Sequence, residues 1–230
     1  MLDKIVDAVS PAKEDFIVEI GPGEGALTTL LLDRTSKVEA IEVDRDLAAS
    51  LAEKFPSLTV HCADALEFDF ARFPRGARIL GNLPYNISTP LLFHLARYAE
   101  RVRDMHFMLQ LEVVERMVAA SSTAAYGRLS VSLQAKFRMR KLFNVSRGAF
   151  RPPPKVQSAL VRMEPLERPL ALDDNLLRRA FSARRKTLRN ALRGVDFRAA
   201  GVDPALRPEN LTPEDYARLS LNCAPERGIT

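Results

Sequence analysis

A glycine-rich turn, Gly21-Pro22-Gly23-Glu24-Gly25, most constrains what this chain can fold into. Residues 16–20 before it have the composition of a buried strand, and residues 26–32 after it read as an apolar helix. Glycine tolerates the backbone angles of such a turn, and amides at the helix N-terminus can then face a ligand. The spacing also fits dinucleotide-binding proteins, so it predicts an α/β sheet with a ligand site but not the ligand.

Two further apolar strands are followed by carboxylates that suit a nucleoside. The strand at residues 38–43 carries Glu42 near its end, where a carboxylate can accept hydrogen bonds from both ribose hydroxyls. The strand at residues 58–62 precedes Asp64, which could bind the amino group of an adenine. Either carboxylate alone is more often a cap or turn residue, but their succession at strand ends favours NAD or S-adenosylmethionine as ligand.

The fourth apolar run, residues 77–80, leads into Asn82-Leu83-Pro84-Tyr85. Asn82 offers a carbonyl acceptor, Pro84 fixes the backbone so that the preceding carbonyl can be a second acceptor, and Tyr85 offers an aromatic face. These groups suit the exocyclic amine of a flat base, although a strand-ending turn with a core tyrosine is the structural alternative. A dinucleotide-dependent dehydrogenase needs neither Asp64 nor this tetrapeptide, so the combination favours S-adenosylmethionine.

Composition predicts a soluble globular protein with one good core and a small second unit. The chain has 230 residues, of which 47% are hydrophobic and 27% charged, and no apolar run approaches the length of a membrane helix. Cys62 and Cys223 stand in no metal or redox spacing, and the histidines are too scattered for a metal site. We therefore expect reduced thiols, no metal and a cytoplasmic location.

Positive charge is concentrated in one segment. Residues 128–193 contain 17 Lys and Arg against 4 Asp and Glu, a net charge of +13, whereas the whole chain carries +5. An excess of one sign on one segment is typical of a surface that faces a polyanion. A mixed, solubilising surface is the alternative, but such surfaces usually carry both signs.

Within that segment, apolar and polar residues begin to alternate at Gly127, and cations occupy alternate positions further along. A proline-rich loop holds Phe150 beside Lys155, and a helix expected at residues 183–192 carries four cations within six residues. Prolines at 165 and 169 mark a linker to this helical part. The RNA-contacting candidates are Arg138, Arg140, Lys141, Arg147, Lys155, Arg184, Arg185, Lys186 and Arg189.

The sequence resembles the ribosomal RNA adenine N6,N6-dimethyltransferases that modify the small ribosomal subunit, close relatives of the macrolide-resistance rRNA methyltransferases. The motifs that carry the resemblance are EIGPGEGALT (19–28), EVD (42–44), ADAL (63–66), NLPYNISTPLL (82–92), FRPPPKVQSALV (150–161) and FSARRKTLRNAL (181–192). The first three are shared by many class I methyltransferases, whereas the last three are specific. The final motif favours the housekeeping branch.

The resemblance implies a Rossmann-like class I methyltransferase sheet with helices on both faces, spanning residues 1–164, and a small all-helical RNA-facing domain at residues 165–230. It implies S-adenosylmethionine as cofactor and dimethylation of two adjacent adenosines near the 3′ end of 16S rRNA. The implied cofactor residues are Glu19, Gly21, Gly23, Glu42, Asp64, Ala65 and Asn82. The implied catalytic residues, which hold the adenosine, are Asn82, Leu83, Pro84, Tyr85 and Phe150.

Members of the family usually begin with a basic stretch of the Phe-Gly-Gln-Asn-Phe-Leu type before the first helix. This sequence begins at Met1-Leu2, so we expect the chain as given to lack the implied lid over cofactor and base. The expected partner is the small-subunit rRNA or 30S particle, with the chain acting as a monomer in subunit maturation. The alternatives are a non-catalytic ribosome-assembly factor and another class I N-methyltransferase that acts on protein or a small molecule.

Overall fold

A computed structural model describes residues 1–149, 156–183 and 185–223. Within these ranges seven strands form one sheet, in the spatial order β3-β2-β1-β4-β5-β7-β6. The strands are β1 (Ile17–Ile20), β2 (Val38–Glu42), β3 (Thr59–Cys62), β4 (Ala77–Asn82), β5 (Val102–Gln110), β6 (Phe137–Val145) and β7 (Ser158–Pro165). The predicted α/β class is confirmed.

Strands β1 to β5 run parallel, and β7 is antiparallel to β5. In register, Ile20 at the end of β1 lies between Ile41 on β2 and Gly81 on β4. Glu42, the next residue of β2, pairs with Cys62 at the end of β3. The carboxyl ends of these strands therefore meet at one edge of the sheet, where ligands of open α/β folds bind.

The chain divides into two compact units, the first comprising Met1–Val114 and Arg138–Pro165. Its core contains Ile5, Leu31 and Leu51 from three helices, packed with sheet residues such as Leu80 and Leu160. Hydrophobic burial of this kind is the main stabilising term. The helices that begin in this unit are α1 (Leu2–Val9), α2 (Ala26–Leu32), α3 (Arg45–Lys54), α4 (Ser88–Leu95) and α5 (Leu111–Val118).

The second unit takes in Glu115–Phe137 and the chain from Leu166 onwards. Two tyrosines without solvent exposure lie in its core, and the Tyr126 and Tyr216 hydroxyls donate to the carbonyls of Leu211 (2.8 Å) and Pro208 (2.9 Å). Its further helices are α6 (Arg128–Gln134), α7 (Asp174–Ser182), α8 (Leu188–Ala191), α9 (Phe197–Ala200) and α10 (Pro213–Leu221). Within the described ranges, no helix is both long and apolar enough to cross a membrane.

Three local expectations differ from this structure. The expected domain division left residues 115–137 in the first domain, but they pack into the second unit. The alternating segment after Gly127 forms a helix, because both Ser130 and Ser132 are buried there, and Ser130 Oγ donates to the Arg116 carbonyl. In place of the helix expected at residues 183–192, the structure has the shorter α8. Its first two backbone amides donate to loop carbonyls, Leu188 N to Leu206 O over 2.8 Å and Arg189 N to Pro204 O over 3.0 Å.

Candidate active site

The glycine turn after β1 is held in backbone conformations that L-residues rarely adopt. Gly21, Gly23 and Gly25 have φ values of 66°, 57° and 80°. Gly25 is also closely packed, since an added Cβ would lie 2.6 Å from Cε2 of Phe55. Gly25 N donates to the Pro22 carbonyl over 3.0 Å, which closes the turn. The turn is therefore a preformed cradle, with close packing at Gly25 and open space beside Gly23.

Glu42 fixes the turn from the neighbouring strand. Its Oε2 accepts a 3.2 Å hydrogen bond from Gly23 N, and its Oε1 accepts a 3.1 Å bond from Asp44 N. The side chain is buried, with 7% exposure. Because each carboxylate oxygen can accept a second hydrogen bond, both oxygens retain capacity for a ribose hydroxyl.

The Asn82-Leu83-Pro84-Tyr85 segment sits where β4 ends. Asn82 is exposed, while Leu83 is buried and its N–H donates to Met108 O over 3.2 Å. The Tyr85 hydroxyl lies 2.7 Å from Ser158 Oγ on β7, which orients the ring. The segment thus presents an exposed amide and a half-buried aromatic ring at the same strand end.

A cavity of about 290 Å³ lies between the glycine turn and the end of β4. The residues that line it include Glu19, Gly21, Gly23 and Asn82. Four of the residues predicted to bind the cofactor therefore line the same cavity. Its other lining is predominantly apolar, as is usual for small-molecule sites.

Glu19 is a buried carboxyl in this cavity, with 2% exposure. Burial raises its pKa to about 7, a hydrogen bond from the Thr28 hydroxyl (2.6 Å) opposes the shift, and the charge of Glu42 adds to it. A carboxyl that titrates near neutrality inside a cleft is typical of functional sites. Its ionised form would be stabilised by a cationic ligand.

Asp64 and Ala65 do not line this cavity. Ala65 is buried, and Asp64 is exposed with its Oδ1 accepting a 2.8 Å bond from Leu66 N. Asp64 instead lines an open depression together with Phe68 and Arg72, just beyond the end of β3. The parallel register nevertheless places it at the same sheet edge as Glu42, since Ala63 N donates to Glu42 O over 3.0 Å.

Two cavity residues escaped the sequence analysis. Gly81 in β4 faces the backbone of β1, and a Cβ there would lie 2.6 Å from Ile20 O. His106 in β5 is buried at 1% exposure. Both look like ordinary strand residues in the sequence. A glycine inside a strand, which often marks close approach of another backbone, was the available signal for Gly81.

The basic candidates occupy exposed positions in both units. In the first unit Arg138, Arg140, Lys141 and Arg147 are exposed, and Arg140 Nη2 lies 3.2 Å from Glu164 Oε2. In the second unit the exposed candidates are Arg185, Lys186 and Arg189. Phe150, Lys155 and Arg184 lie outside the described residues.

A sequence profile of the ribosomal RNA adenine dimethylases matches residues 1–224. The chain belongs to the ribosomal RNA adenine dimethylase family. This dimethylase is 55% identical to a ribosomal RNA small subunit methyltransferase A from Aromatoleum aromaticum, over 96% of this chain and 88% of the relative. The family prediction is confirmed.

Solved structures agree with the family. A dimethyladenosine transferase from Plasmodium falciparum is similar to the dimethylase with a TM-score of 0.78 and 30% identity, over 96% of this chain and 94% of that one. The 23S rRNA methyltransferase ErmE is similar with a TM-score of 0.70 and 27% identity, over 96% of both chains. The predicted Rossmann-like methyltransferase fold is confirmed.

Proposed function

We propose that this chain is an S-adenosylmethionine-dependent enzyme that dimethylates N6 of two adjacent adenosines near the 3′ end of 16S rRNA. Family membership supports the reaction class. The observation that carries the proposal is that Asn82, at the end of β4, lines the same cavity as Glu19 and the glycine turn. A residue suited to hold an adenine amine thus stands beside a cradle suited to hold the methyl donor.

The residues present fit S-adenosylmethionine, which supplies an electrophilic methyl group on a sulfonium when bound. The backbone of Gly21 and Gly23 would hold the methionine end, and the buried carboxyl of Glu19 would offer negative charge to the cationic ligand. Glu42 retains acceptors for the ribose. Asp64 and the buried Ala65, which lie outside this cavity at the adjacent strand end, would hold the adenine.

The target adenosine would be flipped out of its stack so that its N6 could take the methyl group in one step. The new N–C bond would form as the donor's C–S bond breaks, S-adenosylhomocysteine would leave, and the displaced N6 proton would pass to solvent. N6 is a weak nucleophile because its lone pair is delocalised into the ring. The Asn82 carbonyl and the backbone acceptor beside Pro84 stabilise the pyramidal nitrogen and its developing positive charge, so their effect belongs to the transition state. Tyr85 holds the ring by stacking, while Leu83 packs beneath the segment. No strong base is required, since the methylated nitrogen is acidic.

Phosphate contacts from the exposed cations position the RNA without reading its sequence. The candidates of the first unit lie on β6 and just after it, while those of the second lie around α8. Lys155, Arg184 and the aromatic Phe150 lie outside the described residues, and the family resemblance alone supports them as RNA contacts. We propose that the chain works as a monomer in the cytoplasm, on the rRNA of a maturing 30S particle.

The decisive experiment replaces Asn82 by Ala and measures methylation by primer extension across the 16S rRNA 3′ end. We expect methylation to fall at least about a thousandfold, as when a transition-state contact is lost, with cofactor binding by calorimetry changed only a few-fold. Asn86→Ala, at a nearby exposed position, is the matched control. Equal loss of binding would reassign Asn82 to the cofactor. Salt-sensitive binding to 30S particles without methylation by the wild type would favour an assembly factor.

A further inference from the structure

His106 is a buried polar residue that has no hydrogen-bond partner within the described part of the chain. It lies in β5, in register with Leu80 on β4 and Arg162 on β7. The ring has 1% exposure, and neither Nδ1 nor Nε2 has a partner among the residues the structure describes. A buried polar group left unpaired costs about 1–3 kcal/mol, so a native protein rarely retains one without a use.

The nearby carboxylate does not satisfy the ring. Asp104 Oδ1 lies 3.7 Å from Nδ1 of His106, which is too long for a hydrogen bond. The Asp104 carboxylate is held in this position by Arg78, whose Nε donates to Oδ1 over 2.8 Å and whose Nη2 donates to Oδ2 over 2.9 Å. Arg162 Nη2 adds a third bond to the carboxylate, a second one to Oδ2, over 3.3 Å. Asp104 therefore leaves the ring unsatisfied, and His106 is one of the residues that line the cavity.

The imidazole is neutral at physiological pH. Burial lowers its pKa to about 4, the charge of Asp104 opposes the shift, and those of Arg78 and Arg162 reinforce it. A neutral ring carries one N–H donor and one acceptor nitrogen. It can thus bind a ligand that has both a donor and an acceptor without bringing a charge into the cavity.

Of the described residues that line the cavity, three carry polar side chains: Glu19, Asn82 and His106. The amino-acid end of an S-adenosyl compound carries an ammonium and a carboxylate, which are a donor and an acceptor. Glu19 suits the ammonium by charge, and the His106 N–H suits the carboxylate. We propose that His106 is a cofactor-binding residue whose ring hydrogen-bonds the amino-acid end of the cofactor. This inference rests on the proposed function.

The test compares two ligands by calorimetry: S-adenosylhomocysteine, which has the amino-acid end, and 5′-methylthioadenosine, which lacks it. His106→Leu should weaken the binding of S-adenosylhomocysteine about tenfold or more, equivalent to about 1.4 kcal/mol. It should weaken the binding of 5′-methylthioadenosine less than about twofold. His106→Gln, which keeps a donor and an acceptor, should recover most of the loss. Met105→Leu, a change of similar volume at a buried position of the same strand that does not line the cavity, is the control.

Thermal unfolding separates this role from a structural one. Because the wild-type ring is unsatisfied, ligand-free His106→Leu should be at least as stable as the wild type. A clearly destabilised or unfolded Leu variant would overturn the inference, as would equal losses for both ligands or no loss for either. If the wild-type protein binds neither ligand, the proposed function itself is overturned. If the wild type binds S-adenosylhomocysteine and His106→Leu binds it equally well, this inference alone is overturned.

Discussion

The Thr28 hydroxyl donates a 2.6 Å hydrogen bond to Oε2 of Glu19, joining the first turn of α2 to the middle of β1. Neither side chain is exposed beyond 2%. The bond favours the ionised carboxylate, yet burial outweighs it and the neighbouring Glu42 charge adds to the effect, so the pKa of Glu19 rises to about 7. The hydrogen bond from Thr28 therefore limits the rise in the Glu19 pKa that burial causes.

Replacement of Glu19 by Gln should stabilise the ligand-free protein at alkaline pH. The wild-type pKa is about 7 when folded and near its ordinary 4.5 when unfolded, so the folded state binds more protons between these values. Stability then falls as pH rises from about 4.5 to about 7, by up to about 3 kcal/mol. We expect Glu19→Gln to exceed the wild type at pH 8 and to match it near pH 4. Urea unfolding at pH 8 and pH 4 measures the stability difference, and Glu24→Gln at an exposed position is the control. Identical unfolding curves for the wild type and Glu19→Gln at pH 8 would refute the prediction.

Loss of the Tyr85 hydroxyl should slow methylation without affecting the cofactor. Tyr85→Phe keeps the aromatic face but removes the 2.7 Å contact to Ser158 Oγ, which orients the ring. We expect the rate to fall about fivefold, corresponding to a hydrogen bond of about 1 kcal/mol, with cofactor affinity unchanged. Ser158→Ala should have the same effect, and the double variant should be no slower than either. Additive effects would show that the two hydroxyls act independently.

An alanine at Gly81 should separate β1 from β4. Its Cβ would lie 2.6 Å from Ile20 O, a backbone atom that can move only with its strand. We expect a loss of more than about 2 kcal/mol in unfolding free energy together with weaker cofactor binding, because overpacking strains a buried site. Gly148→Ala is the control, since nothing lies within 4 Å of its added Cβ. A Gly81→Ala protein of normal stability would contradict this account.

The Arg78 guanidinium should be a major stabilising group of the first unit. It is 2% exposed and donates to both Asp104 oxygens, to Asp15 Oδ2 over 2.8 Å and to Val9 O over 2.7 Å. Arg78→Met leaves two buried carboxylates without this partner, so we expect a loss of about 3–5 kcal/mol. Chemical denaturation measures it. Arg34→Met, which removes an exposed pair with Asp7 at 3.8 Å, should change stability by less than about 1 kcal/mol.

The sequence could predict the elements that bear the site because the relevant signals are local. Each strand before Gly21, Glu42 and Asn82 is a short apolar run that ends in polar or glycine residues. Once these strands are parallel, their ends share one sheet edge whatever the detailed packing. The alternation after Gly127 did not indicate the helix that the structure has there. Burial inside the second unit, rather than local spacing, stabilises that helix.

By itself, the sequence determined the α/β class, the glycine cradle, the strand-end candidates and the family. Only the tertiary structure decided that Glu19 titrates near neutrality, that Gly81 abuts Ile20, that Asp64 lies outside the cavity, and that His106 lacks a partner within the described residues. The physical reason is that burial and hydrogen bonding of these groups depend on residues far away in the chain. Local patterns therefore predict where polar side chains lie along the chain. Long-range packing sets their pKa values and decides which of their donors and acceptors have hydrogen-bond partners.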